Sequence, residues 1–135
     1  MHNRKVNVLI PAAGEGKRSG LSYPKTLYEI AKKPILLYIL DLLEFIDNKP
    51  TIVVNPKGEK SIKSFLKKYS KKSYLVIQSM AKGMGDAILK FEQSPSFDKT
   101  TDIFLIWGDI PFIRKETVNA MLKVHFKNNN DFTFV

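Results

Sequence analysis

The chain has 135 residues, with 22 Lys and Arg against 13 Asp and Glu, so its formal net charge is +9. Hydrophobic residues make up 44% and charged residues 26%, a balance that excludes a disordered or collagen-like chain and allows one hydrophobic core. The absence of cysteine excludes disulfide frameworks, thiolate zinc sites and cysteine nucleophiles.

In chain order, Lys5 to Ala12 is an apolar, β-branched run ending in Pro-Ala-Ala-Gly, which predicts a buried strand entering a turn. Basic residues precede this run as they would in a signal peptide, but it is too short and passes straight into a glycine-rich loop. Ala13 to Tyr23 is that loop. Pro34 stands at a first-turn position, and Ile35 to Ile46 is apolar nearly all round, which predicts a buried core or subunit-contact helix. Within it Ile35 to Leu40 is the longest apolar run, far short of the about 18 residues a membrane helix needs. The cytoplasm is therefore the expected location, and no membrane partner is expected.

Further along, Thr51 to Asn55 is a second strand, Glu59 to Tyr69 a helix, Tyr74 to Gln78 a third strand and Gly83 to Glu92 a short helix. Asp86 falls in the first turn of that short helix, where an acid suits the helix dipole. Asp102 to Trp107 is a fourth strand. Arg114 to Phe126 is a helix with Val118, Met121, Leu122 and Phe126 facing inward, stopped by three asparagines. Asp131 to Val135 is expected to open a fifth strand. Strands alternating with helices predict an α/β fold, a three-layer sandwich with a mostly parallel, Rossmann-like sheet. Ligands of such sheets sit at the C-terminal strand edges. The glycine-rich and polar segments, Gly14 to Arg18, Gln78 to Gly85 and Gly108-Asp109, fall there.

The positive charge favours anionic partners. Seven lysines lie between Lys57 and Lys72 against one acid, Glu59, with Ile62, Phe65, Leu66 and Tyr69 at helical spacing. That pattern reads as a surface helix with a solvated lysine face. Nineteen of the 22 basic residues are lysine, whereas base reading and bidentate phosphate contacts lean on arginine, so nucleic acid is not an expected partner.

The loop Ala12-Ala13-Gly14-Glu15-Gly16-Lys17-Arg18-Ser19-Gly20 can bring backbone N–H groups to phosphates. It is not a P-loop. The required Gly-Lys falls on Ser19-Gly20 counted from Gly14, and on Leu21-Ser22 counted from Gly16. It also departs from the dinucleotide fingerprint, having serine at 19 and Asn55-Pro56 where an acid belongs. What remains is Ala-Ala-Gly-x-Gly-x-Arg, a short spacer, then Pro24-Lys25.

The segment IPAAGEGKRSGLSYPKTLYEIAKKPIL resembles the opening of the MobA-like, glycosyltransferase-A-like nucleotidyltransferases. Within that superfamily the likeness is greatest to sugar-phosphate nucleotidyltransferases, especially the N-terminal domain of N-acetylglucosamine-1-phosphate uridyltransferases. Gln78 with Lys82-Gly83-Met84-Gly85-Asp86-Ala87 is similar to that family's base-binding Gln…Gly-Thr-Gly segment. Ile106-Trp107-Gly108-Asp109-Ile110-Pro111, continuing through Glu116-Thr117, is similar to its Gly-Asp-x-Pro metal segment. The three motifs stand in the family's order and span the chain.

The resemblance implies transfer of a nucleotidyl group from a nucleoside triphosphate, UTP first and CTP second, to a sugar 1-phosphate. Arg18 and Lys25 would hold the triphosphate as catalytic residues. Ala12, Ala13, Gly14 and Gly16 would meet the nucleotide, with Gln78, Gly83, Met84 and Gly85 around the base. Asp109 would hold Mg²⁺, an ion that takes one or two carboxylates and keeps several waters. Met84 stands where the family has threonine, which leaves the base open. Asp86 reads only as a helix-start acid, and Lys17 as a solvated residue. The family fold is longer than this chain, so the single domain 1–135 is expected to be incomplete at its C-terminal side, with the sugar site and a second metal ligand beyond Val135. A homo-oligomer is a further possible assembly. Ranked behind the enzyme are a non-catalytic nucleotide-binding module and a basic nucleic-acid-binding domain.

Overall fold

The computed structural model describes residues 4–80 and 82–135. The elements follow in chain order as β1 (Val6–Pro11), a 3₁₀ turn (Lys25–Leu27), β2 (Glu29–Ile30), β3 (Lys33–Pro34), α1 (Ile35–Leu43), β4 (Thr51–Val54) and α2 (Pro56–Lys68). Then come β5 (Tyr74–Ile77), α3 (Met84–Leu89), a second 3₁₀ turn (Lys90–Gln93), β6 (Asp102–Leu105) and α4 (Lys115–Lys127). Four strands form one parallel sheet in the order β5-β4-β1-β6, in register at Leu9 with Thr51, Ile52 with Leu75 and Val8 with Phe104. The chain winds outward from β1 through β4 to β5, then returns to the other side of β1. That reversal makes the C-terminal ends of β1 and β6 the topological switch point.

Side chains alternate across the sheet and separate two cores. Val8, Ile10, Ile52 and Val54 join Ile35, Leu36, Ile39 and Leu43 of α1, Ile62, Phe65 and Leu66 of α2, and Val118 of α4. Leu9 and Val53 face the opposite side and pack with Ala87 of α3 and with Phe91. Helices on both faces bury the central strands β1 and β4 twice over, which is why these two read as continuous apolar runs. The expected three-layer α/β sandwich is the one observed. The second layer is partly polar. Asn7 Nδ2 donates to the Ser96 carbonyl at 3.0 Å and to Thr101 Oγ1 at 2.8 Å, and the Thr51 hydroxyl lies 2.6 Å from that of Ser94.

Three local features differ from the sequence reading. α2 begins at Pro56 rather than Glu59, because Asn55 caps it by accepting from Gly58 N at 2.7 Å and Pro56 takes the first turn. The hairpin β2–β3 carried no turn signal, since its turn residues Ala31 and Lys32 have φ of 51° and 64° without being Gly or Asn. The fifth strand expected at Asp131–Val135 does not form. A strand needs a ladder partner, and this segment has none among the described residues. Its Thr133 hydroxyl instead meets His125 Nδ1 at 3.0 Å and Asn130 Nδ2 at 3.2 Å.

The apolar faces of α1 and α2, with Val118, Met121 and Leu122 of α4, account for the core as expected, whereas Phe126, expected to face inward, is half-buried outside it beneath the Arg4 guanidinium. α1 buries Ile35, Leu36, Ile39, Leu40 and Leu43, which is the core-helix reading. The lysines at 60, 63, 67 and 68 are exposed on α2 and Lys63 is paired with Glu59, so the solvated-face reading holds. No helix among the described residues is long and apolar enough to cross a membrane.

Candidate functional site

The three motif segments meet along one edge of the sheet. After β1, Ala12 N still donates to the Val53 carbonyl at 2.8 Å, so the chain leaves the ladder only at Ala13. Asn55, at the end of β4, ties the loop down. Its Nδ2 donates to the Ala13 carbonyl at 3.2 Å and to the Gly14 carbonyl at 3.4 Å, while its Oδ1 caps α2. With those carbonyls turned to Asn55, the N–H groups of Ala13, Gly14 and Glu15 have no acceptor among the described residues. Gly16, at φ +60°, then folds the loop tip, its carbonyl accepting from both Ser19 N and Ser19 Oγ. Lys17 and Glu15 form an exposed ion pair at 2.7 Å. The Glu15 hydrogen bond raises the Lys17 pKa, and Lys17 lowers that of Glu15. Lys17 is thus the solvated residue expected.

Pro24 and Lys25 are placed by close packing. Pro24 fits against Gly58 of α2, where a Cβ would lie 3.0 Å from Pro24 Cγ. The next residues form the 3₁₀ turn, and Thr26 is buried against Gly108, where a Cβ would lie 2.8 Å from Thr26 Cγ2 and 3.2 Å from the Pro11 carbonyl oxygen. Gly108 N donates to that carbonyl at 3.2 Å, extending the β1–β6 ladder past the end of β6. The missing side chain at Gly108 therefore lets the Lys25 turn lie on the strand end that carries Asp109. Lys25 Nζ meets Asp109 Oδ2 at 2.5 Å, with the two side chains 50% and 35% exposed. Arg18 is exposed in the loop, and no contact joins it to this pair among the described residues.

Gln78 is buried at the end of β5, its backbone N bonded to the Val54 carbonyl at 2.8 Å. It lines a cleft of about 130 Å³ together with Ala13, Glu15, Asn55, Pro56, Lys57 and Ser79. Of the other expected base contacts, Gly83 has φ +88°, a backbone that favours glycine, and stands as the N-cap of α3. Met84 is exposed, and a Cβ at Gly85 would meet nothing within 4 Å. Ala81, within this segment, lies outside the described residues, as do residues 1–3.

The structure thus gathers Ala13 and Gln78 around the cleft, and Lys25 and Asp109 at the switch point. The residue that sequence reasoning missed is Asn55. Asn-Pro before a helix is its signal, although against the dinucleotide fingerprint the position reads only as an absent acid.

The MobA-like NTP transferase domain family matches residues 8–135. The chain belongs to that family. The Bifunctional protein GlmU of Buchnera aphidicola subsp. Schizaphis graminum is 39% identical over 122 residues, 90% of this chain and 25% of the relative. That of Thermodesulfovibrio yellowstonii is 34% identical over 130 residues, 96% of this chain and 28% of the relative. The chain therefore spans about a quarter of the length of the curated relatives it matches. In fold it is similar to the 4-diphosphocytidyl-2C-methyl-D-erythritol synthase of Anaerococcus prevotii, with a TM-score of 0.70, 19% identity, and coverage of 92% of this chain and 52% of that one.

Proposed function

We propose that this chain is the nucleotide-binding part of a nucleotidyltransferase that acts on a sugar 1-phosphate, with UTP preferred and CTP second. The single observation that carries this reading is the Lys25–Asp109 contact. It joins the Pro-Lys motif after β1 to the Gly-Asp motif after β6, at the strand edge where open α/β sheets bind ligands.

In the reaction an oxygen of the acceptor phosphate attacks the α-phosphorus of the triphosphate. The bond from that phosphorus to the β-phosphate oxygen breaks, and pyrophosphate leaves with the electron pair. The nucleophile is already an anion, so no side-chain base is required, and the protein's work is alignment and charge stabilisation. The N–H groups after β1 would donate to phosphate oxygens, and Arg18 and Lys25 would carry charge developing toward pyrophosphate. Ala12, Ala13, Gly14 and Gly16 would bring the backbone close to the nucleotide. Gln78, with Gly83, Met84 and Gly85, would surround the base over the cleft.

Asp109 fits a divalent cation by its donor chemistry, because a single partly exposed carboxylate beside bound phosphates is the kind of set Mg²⁺ takes. Among the described residues there is no group of three or more acidic, His or Cys side chains, so an all-protein cage is not what the site provides. A bound Mg²⁺ supplies charge neutralisation between approaching phosphates. Lys25 already neutralises Asp109 and would turn to the triphosphate as the carboxylate gains another partner.

The reading includes a cytoplasmic location. Calorimetric titration with UTP, CTP, GTP and ATP, with and without Mg²⁺, tests it beside Lys25→Ala. Selective binding weakened in that variant is the expected result. Absence of binding to all four nucleotides would overturn it for this chain.

A further inference from the structure

Asp86 has the sequence signature of an ordinary first-turn acid in α3, but its side chain is occupied elsewhere. Gln78 Nε2 donates to Asp86 Oδ2 at 2.7 Å and to the Gly83 carbonyl at 3.2 Å. Gly83 aims that carbonyl through a backbone with φ +88°, in the region that favours glycine. Both partners of Nε2 are acceptors. Turning the amide round would set Oε1 against a carboxylate and a carbonyl oxygen, so the orientation is dictated by chemistry. Oε1 is then the amide atom left without a hydrogen-bond partner among the described residues, on a side chain that lines the cleft with Ala13 and Asn55.

A free glutamine amide offers a donor and an acceptor and serves uracil and cytosine alike. A locked one offers only an acceptor. Uracil and thymine present a ring N3–H donor at the middle of the pairing edge, whereas cytosine presents an N3 acceptor there. Cytosine could offer its exocyclic amino donor to Oε1 only with the ring displaced along the edge. We infer that Asp86 is a positioning residue that locks the Gln78 amide acceptor-outward and so makes the site prefer an imide-bearing pyrimidine nucleotide over a cytosine nucleotide. This rests on the reading that Gln78 meets the base.

The test is titration of the 135-residue chain with UTP and CTP in four forms: wild type, Asp86→Asn, Asp86→Ala and Gln78→Ala. Asparagine preserves the shape of the site but can turn its own NH₂ toward Gln78, which permits the reversed amide. In Asp86→Ala and Asp86→Asn the UTP:CTP preference should fall about tenfold, the effect of one misdirected hydrogen-bonding group. Affinity for inorganic tripolyphosphate should stay at the wild-type value, which a general loss of structure would not allow. In ¹H–¹⁵N spectra the Gln78 side-chain NH₂ should exchange slowly in the wild type and rapidly in Asp86→Ala.

An unchanged UTP:CTP ratio in both Asp86 variants, with the ratio lost in Gln78→Ala, would overturn the role of Asp86 and leave the nucleotide reading standing. Equal binding of UTP and CTP by the wild type, or none, would overturn the inference together with the assignment of Gln78 to the base.

Discussion

Asn55 makes two separable contributions, and two substitutions distinguish them. Its Oδ1 caps α2 through Gly58 N at 2.7 Å, and its Nδ2 holds the Ala13 and Gly14 carbonyls at 3.2 and 3.4 Å. Asn55→Ala removes both. Loss of the cap costs about 1 kcal/mol. The two tethers are long for hydrogen bonds and one is exposed, so together they add about 0.5 kcal/mol. The sum of about 1.5 kcal/mol corresponds to a fall in Tm of roughly 4–8 °C for a domain of this size. Asn55→Asp keeps the capping oxygen and adds a favourable charge at the helix N-terminus, but sets a carboxylate against two carbonyls. Its Tm should stay within about 2 °C of the wild type, a net change of roughly 0.5 kcal/mol or less. Nucleotide affinity should nonetheless fall in both variants, because both release the loop carbonyls and with them the aim of the N–H groups at Ala13 to Glu15. Thermal unfolding by circular dichroism and nucleotide calorimetry, run on the same samples, check the two effects. Wild-type UTP affinity in Asn55→Asp would refute the idea that the tether organises the loop.

The other predictions concern the pair at the switch point and the stability of the frame. Lys25→Ala should weaken triphosphate binding while strengthening Mg²⁺ binding by the free protein, since it releases Asp109; a half-exposed pair contributes about 1 kcal/mol or less, so Tm should hardly move. Asp109→Ala should remove the Mg²⁺ dependence of nucleotide binding with the fold intact, and retention of that dependence in calorimetry would refute the metal assignment. Gly108→Ala should destabilise by about 1–3 kcal/mol through overpacking against Thr26 and the Pro11 carbonyl, read as a lower denaturant midpoint. Burial pushes the Asp41 pKa up, but hydrogen bonds from Lys33 and Lys71 outweigh it and leave the carboxyl below its usual value. Its stabilisation is therefore present above the unfolded-state pKa and is lost as pH falls through the lower folded value. Asp41→Asn should flatten the loss of stability below about pH 4, by roughly 1 kcal/mol or less because the side chain is partly exposed; acid titration of Tm checks it.

Much of the frame was legible because each element is driven by a local pattern. The doubly buried strands β1 and β4 read as continuous apolar runs, and the helices α2 and α4 as single apolar stripes. Failures came where residue type gave no turn signal, or where the deciding partner lies far along the chain. The hairpin β2–β3 turns through Ala31 and Lys32, residues that by themselves disfavour positive φ, and Ile35 N at its exit bonds the Tyr28 carbonyl at 3.0 Å. The expected strand at Asp131–Val135 has apolar and β-branched residues enough, but residue type cannot supply a ladder partner. At the site, glycine spacing drew attention to Gly14 and Gly16, whereas Asn55, which holds their loop, sits on a different strand.

By itself the sequence determined the α/β class, the two-sided burial of the sheet and the placement of the Ala-Ala-Gly, Gln and Gly-Asp segments at strand ends, because periodicity and turn chemistry act between near neighbours. Tertiary structure alone decided that Lys25 meets Asp109, that Asn55 fastens the loop after β1, and that Asp86 turns the Gln78 amide. Each of these depends on strand order and on the absence of a side chain at Gly58 or Gly108, or on the backbone turn at Gly83. Hydrogen bonds and ion pairs act only within a few ångströms, and the winding of the sheet is what brings distant residues within that range.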